Sequence, residues 1–213
     1  MAGDLERDDA GFEGKAALVA GGGAAGDGIG NGLAAAILLA RAGARVMVAD
    51  RDQALAERTA EMIRDEGGEA AATSGDVTAA TDGQAMVKAC LDAFGRLDYL
   101  ANNVGISSRG SVVEEDPETW RRVMAVNVDA MFLMSKYAIP AMIDSGGGGA
   151  IVNVSSISAI RPRRLTVYTT SKAAVIGLTR AMAMDHGPEG IRVNCVAPGP
   201  VYTPMVIKDG MPE

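Results

Sequence analysis

The sequence predicts an α/β protein built on a parallel sheet with helices on both faces. Three observations carry this reading. Short apolar runs alternate with stretches of helical periodicity from residue 16 to residue 197. The first run, Ala16–Ala20, is small and apolar at every position, as suits a strand covered on both faces. Each unusual motif directly follows such a run, at the carboxyl end of a predicted strand, where ligands bind in sheets of this kind.

The first strand leads into a glycine-rich turn over 21–32, where missing Cβ atoms let backbone come close to a ligand. A helix over about 33–41 stops at Gly43. The second strand, 45–49, is closed by Asp50, and a helix through Leu55, Thr59, Met62 and Ile63 ends at Gly67 and Gly68. Residues 70–74 make a weak third strand, poor in large side chains, before Gly75, Asp76 and Val77. A helical pattern through Ala85, Met86, Ala89, Cys90 and Phe94 precedes the fourth strand, 97–101, which is closed by Asn102-Asn103-Val104-Gly105. After a polar loop, 107–116, Pro117 fits the first turn of a long helix. Its predicted apolar face is Trp120, Val123, Met124, Val126, Met131, Phe132 and Met134, read as core packing. Glycines at 146–149 break that helix, and the fifth strand, 150–154, ends in Ser155 and Ser156. The basic loop Arg161-Pro162-Arg163-Arg164 precedes a helix from near Tyr168 to about Asp185, stopped by Gly187-Pro188. Pro198-Gly199-Pro200 ends the sixth strand, 191–197.

A chain of 213 residues, 48% hydrophobic and 22% charged, is sized for one core and too apolar for disorder. It divides into an acidic flexible tail, 1–13, and one domain, 14–213. The net charge of -7 argues against nucleic acid or an anionic membrane as partner. No apolar run reaches the ~20 residues that span a bilayer. The acidic start is not a secretory leader, so a cytoplasmic location is expected. Cys90 and Cys195 lack metal-type spacing and His186 has no companion ligand, which predicts two buried reduced thiols, a surface imidazole and no metal.

Tyr168 and Lys172 are four apart, on one face of their helix. An ammonium beside a phenol favours the phenolate. Alone, such a pair is commonplace on solvated helices. With Ser155 or Ser156 at the mouth of the fifth strand, it describes a site that moves a proton to or from a carbonyl or hydroxyl oxygen. The glycine turn opens a helix whose N-terminal amides suit a diphosphate. Asp50, 20 residues beyond Gly30, has the spacing of a carboxylate that binds adenosine ribose hydroxyls. Asp50 and Asp27 oppose the 2′-phosphate of NADP, Arg51 offsets part of that repulsion, and NAD is expected over NADP.

Taken together, these motifs resemble the short-chain dehydrogenase/reductase family over about residues 14–203. The set comprises Gly28-Ile29-Gly30, Asp50, Asp76-Val77, Asn102-Asn103-Val104-Gly105, Asn127 in Val126-Asn127-Val128, Ser155-Ser156, Tyr168 and Lys172, and Pro198-Gly199 with Thr203. The resemblance implies a three-layer, doubly wound sheet of Rossmann type. It also implies hydride transfer between a nicotinamide and an alcohol or carbonyl carbon, here expected to interconvert a secondary alcohol and a ketone. Tyr168 would be general acid in reduction and base in oxidation. Lys172 would assist it and bind the nicotinamide ribose, while Asn127 would hold a relay water. Ser156 rather than Ser155 would face the substrate oxygen.

For the cofactor, the resemblance implicates Gly22, Gly28, Ile29 and Gly30 of the turn, and Asp50 with Arg51 at the next strand end. It sets Asp76 and Val77 beside adenine, Asn103 and Gly105 on the adenosine ribose side, and Val201 and Thr203, following Pro198 and Gly199, at the nicotinamide carboxamide. Family members associate through their long helices, so a homodimer or homotetramer is expected. Three features depart from the family pattern: Ala20 replaces the usual Thr, the glycine turn is about two residues long, and a further helix and seventh strand are absent before Glu213. An uncovered edge strand follows from the last. Two alternatives stand beside the leading one. A 3-oxoacyl-thioester reductase would use the basic loop at 161–164 to meet an acidic substrate or carrier. A truncated cofactor-binding protein would lack turnover.

Overall fold

The computed structural model describes residues 11–23, 28–201 and 203. Strands and helices alternate as β1 (Ala16–Ala20), α1 (Asn31–Arg41), β2 (Arg45–Asp50), α2 (Gln53–Asp65), β3 (Ala70–Ser74), α3 (Ala80–Phe94) and β4 (Tyr99–Asn102). They continue as α4 (Pro117–Met124), α5 (Ala130–Asp144), β5 (Gly149–Val154), α6 (Thr166–His186) and β6 (Ile191–Val196), with a π-helical turn, Ala125–Asp129, joining α4 to α5. All strand pairs are parallel, in the order β3-β2-β1-β4-β5-β6. This is the doubly wound sheet. The order reverses between β1 and β4, and the crevice outside their carboxyl ends is where such sheets bind ligands.

β1 shows why the sheet needs both helical layers. Its side chains alternate, so Ala16, Leu18 and Ala20 enter one core with α3, α5 and α6. Ala17 and Val19 enter the other with Ala36 of α1 and Ala56, Ala60 and Ile63 of α2. Full burial of a side chain such as Leu18 or Ile63 contributes about 1.5–3 kcal/mol. Local chemistry sets the helix starts. Asp52 accepts hydrogen bonds from the Ala54 and Leu55 amides at the head of α2, and Asp116 accepts from Glu118 and Thr119 before α4. Gly95 ends α3 in the left-handed region, with φ 71°.

Several boundaries differ from the sequence expectation for physical reasons. α1 starts at Asn31 because Gly30 is still extended at its N-cap. β4 starts at Tyr99, since the Leu97 amide donates to Ser145 Oγ instead of a neighbouring strand. On the long helix, Val123, Met131 and Met134 are buried, but Trp120 is 38% and Phe132 49% exposed. Phe132 is one residue out of phase with the buried face. Cys90 is buried and its thiol is pushed up to about 12 by burial, whereas Cys195, on edge strand β6, is only half-buried. Among the described residues, no helix is long and apolar enough to cross a membrane.

At the opposite end of the sheet from the motifs, Asp98 ties β1 to β4. It accepts from Arg96 Nε and Nη2 at 2.7 and 2.6 Å, from the Ala16 amide at 2.9 Å and from Lys15 Nζ at 3.2 Å. Burial alone would raise its pKa, but these hydrogen bonds and charges hold the carboxyl below its ordinary value.

Candidate active site

α6 begins at Thr166, so Tyr168 occupies its first turn and Lys172 the next. The two groups meet as the sequence predicts, with Lys172 Nζ 5.8 Å from the centre of the Tyr168 ring. Lys172 is 3% exposed, and its amine donates to the Val154 carbonyl at the end of β5, at 2.8 Å. Burial disfavours the ammonium and lowers its pKa from 10.5 to about 8.

The two serines separate by their partners. Ser155 Oγ donates its one proton to the Lys172 carbonyl at 2.7 Å, which leaves no donor for a substrate oxygen. Ser156 Oγ accepts from the Ser158 amide at 3.2 Å as it caps a short 3₁₀ turn, Ile157–Ala159, and that bond does not use its proton.

Asn127 sits within the π-helical turn and is fully buried. Its Oδ1 accepts from the Ile106 amide at 2.8 Å, and its Nδ2 donates to the Ile106 carbonyl and to Ser171 Oγ, both at 2.9 Å. Ser171 Oγ in turn donates to the Tyr168 carbonyl at 2.8 Å. Gly105, next to Ile106, packs against the same corner. A Cβ there would stand 3.0 Å from Lys172 Nζ and 3.3 Å from Asn127 Oδ1.

The glycine turn lies across the ends of β1 and β2. The Gly21 and Gly22 amides both donate to the Ala49 carbonyl, at 2.8 and 3.1 Å, and Gly21 needs its φ of 78°. Gly23 donates its amide to Asp50 Oδ2 at 3.1 Å, while Asp50 Oδ1 accepts from the Asp52 amide at 3.1 Å. Asp50 therefore shapes the turn as well as closing β2. Asn103 Nδ2 donates to the Gly21 carbonyl at 3.0 Å, which ties the end of β4 to the same turn. A Cβ on Gly32 would run into the Gly21 carbonyl, so a glycine is required for α1 to start this close beneath the turn. Gly28 and Gly30 flank Ile29, which is 63% exposed at the entry to α1.

Further along the strand ends, the Asp76 carboxylate accepts from the Thr78 hydroxyl and amide at 2.7 and 2.9 Å. These bonds, assisted by the Arg51 charge, hold its pKa below the usual value, and Val77 beside it is buried. The Pro198 carbonyl accepts from the Ile157 amide at 2.9 Å, so the end of β6 is joined to the turn after Ser156. Gly199 and Val201 are exposed there and Thr203 is buried. Residues 1–10, Asp27 and 204–213 lie outside the described residues. A cradle in which glycine backbone leaves no room for Cβ atoms, followed by a helix and by a carboxylate at the next strand end, fits a dinucleotide.

Sequence reasoning missed Gly23, Gly32, Ser171 and the Ile106 backbone. The Gly28-x-Gly30-x-Gly32 run pointed to Gly32, since the last such glycine serves helix–strand packing. For Ser171 there was no signal, because a serine inside a helix is ordinarily solvated. The loop 107–116 is strapped to the entry of α6 through the Gly110 amide and carbonyl, which pair with Arg164 and Thr166 at 3.2 and 3.1 Å. An open cleft of about 440 Å³ lies between this loop, Trp120 and Thr166.

A doubly wound α/β sheet with a glycine cradle at its switch point and a Ser, Tyr and Lys corner beside it defines an oxidoreductase scaffold for a nicotinamide cofactor. Within that class the chain belongs to the short-chain dehydrogenase family, whose model, described as short chain dehydrogenase, matches residues 15–212. An uncharacterized oxidoreductase of Thermotoga maritima is 47% identical over 190 residues, 88% of this chain and 72% of that protein. The cyclohexanol dehydrogenase of an Acinetobacter species is 39% identical over 197 residues, 92% of this chain and 76% of that one. The solved structure of 7α-hydroxysteroid dehydrogenase with NADH and 7-oxo glycochenodeoxycholic acid superposes with a TM-score of 0.88 at 33% identity, covering 94% of this chain and 76% of that one.

Proposed function

We propose that the protein interconverts a secondary alcohol and a ketone with NAD(H), using Tyr168 as the proton-transferring group. The observation that carries this reading is the buried Lys172 amine, fixed on the Val154 carbonyl and 5.8 Å from the Tyr168 ring centre. In oxidation the Tyr168 phenolate takes the alcohol proton, and in reduction the phenol returns it. Ser156 donates its free proton to the substrate oxygen. Lys172 stands beside the phenol and reaches the nicotinamide ribose, while Asn127 supports a relay water. NAD, when bound, supplies the hydride acceptor at the substrate carbon. The residues at 22–32 would hold its diphosphate, with Asp50 on the adenosine ribose, Asp76 and Val77 beside adenine, and Thr203 near the carboxamide.

Asp50 supports NAD over NADP, and the adjoining Arg51 already shares its field with Asp76. The names of the two relatives, an alcohol dehydrogenase and an NADH complex, agree with this chemistry. A cytoplasmic homo-oligomer belongs to the same reading, and for the association the exposed Phe132 on α5 is the supporting feature. The test is turnover of cyclohexanol and a panel of secondary alcohols with NAD and with NADP. Tyr168→Phe is expected to lower kcat at least about a hundred-fold while NADH binding persists. Full activity of that variant would refute the assignment. Cofactor binding with no turnover anywhere in the panel would favour a binding protein instead.

A further inference from the structure

We propose that Ser171 is a positioning residue for this reaction, whose buried hydroxyl passes the constraint of Asn127 to the backbone of Tyr168. The inference rests on the reading of Tyr168 as the proton-transferring group. Ser171 is fully buried, and its hydroxyl is used in both directions. It accepts from Asn127 Nδ2 at 2.9 Å and donates to the Tyr168 carbonyl at 2.8 Å.

The need for such a link comes from how α6 starts. Leu165 at its N-cap supplies no side-chain hydrogen bond, so the turn that carries Tyr168 has no side-chain cap holding it. Asn127, by contrast, is held firmly. Its amide grips both backbone groups of Ile106, one residue beyond Gly105 and the cofactor cradle. The chain of bonds therefore runs from Ile106 through Asn127 and Ser171 to Tyr168, and joins the loop after β4 to the first turn of α6. A buried polar network with every member satisfied is rigid, and loss of one member loosens its neighbours. The reaction is sensitive to that rigidity, because misplacing a reacting group by about 1 Å costs roughly a hundred-fold in rate.

Ser155 provides the comparison. It too is a buried hydroxyl that donates to a carbonyl of α6, that of Lys172, but no bond joins it to Asn127. Loss of Ser155 would loosen α6 without touching the link to Ile106.

Two measurements on the full chain test the proposal. The first is amide hydrogen exchange of the cofactor-free protein, which needs no substrate. S171A is expected to raise exchange both in the first turn of α6 and at Ile106, whereas S155A raises it in α6 alone. The second is a cycle of S171A, N127A and the double variant, assayed for kcat and KM with the panel alcohol of highest turnover and for NADH affinity by fluorescence. S171A should lower kcat about ten-fold or more while the NADH Kd changes less than about two-fold. The double variant should be no slower than N127A alone within about two-fold, since both changes break one link.

Unchanged exchange at Ile106 in S171A would overturn the proposal, as would losses of kcat that multiply. If S171A does not fold, S171C, which fills the same space with a weaker donor and acceptor, is read by the same criteria. Tyr168→Phe separates the two levels of failure. If that variant turns over normally, the assignment of Tyr168 falls. If it is inactive while the Ser171 and Asn127 losses multiply, only the positioning role falls.

Discussion

Replacement of Lys172 by methionine yields a stability difference whose pH dependence is set chiefly by burial of the amine, against a smaller opposing contribution from Cys195. Folding moves the amine from a pKa of 10.5 to about 8. Below the folded value both states hold the proton, and the native state carries the full penalty of a buried ammonium. Between the two values the unfolded chain binds more protons, so stability rises with pH until both states are neutral. Methionine keeps most of the length of the side chain and does not titrate, so ionisable groups not coupled to Lys172 cancel in the difference between the two proteins. The same comparison in the Tyr168→Phe and Cys195→Ser backgrounds removes the two coupled ones. Integrating the linkage relation from about pH 7 to about pH 10 gives wild type a gain of about 2.5 kcal/mol over K172M. Urea unfolding of both cofactor-free proteins across that range measures it. A difference that is constant within about 0.5 kcal/mol, or that falls as pH rises, would refute the claim that desolvation governs this amine.

Three further outcomes follow from the geometry. Gly32→Ala sets a Cβ against the Gly21 carbonyl and should weaken NADH binding at least about ten-fold, measured by fluorescence titration, since backbone atoms must shift. Asp98→Ala strands the buried Ala16 amide and releases Arg96 and Lys15, which should cost about 2–4 kcal/mol in urea unfolding. The Asp98 carboxyl is held below its ordinary value, so its contribution is present above the usual carboxylate range and is lost on acidification through the lowered pKa. Asp50→Ser removes the charge that opposes the 2′-phosphate and should raise the NADP-to-NAD ratio of kcat/KM at least about ten-fold; an unchanged ratio would show that Asp50 does not set the preference.

Much of the fold was legible because its determinants are local. The apolar run Ala16–Ala20, the periodic helices and Pro117 in a first turn act within a few residues of themselves. The boundaries that moved did so through contacts made elsewhere. Ser145, 48 residues on, takes the Leu97 amide and delays β4. The π-helical turn at 125–129 leaves no mark in an ordinary helical pattern, because helical periodicity is read over windows longer than one turn.

The candidate site divides along the same line. By itself, the sequence determined the strand-helix alternation, the position of each motif at a strand end, the Tyr168 and Lys172 pair on one helix face and the carboxylate after β2. Each of these follows from a short-range period or from the fixed direction of a parallel sheet. Only the tertiary structure decided which serine keeps a free proton, because Ser155 is committed to a carbonyl 17 residues away. It also revealed that Asp50 grips the turn at Gly23, 27 residues earlier, and that Asn127 and Ser171 join across 44 residues. Hydrogen bonds between buried groups far apart in the chain exist only once the helices pack on the sheet, and no local pattern encodes which donor will meet which acceptor.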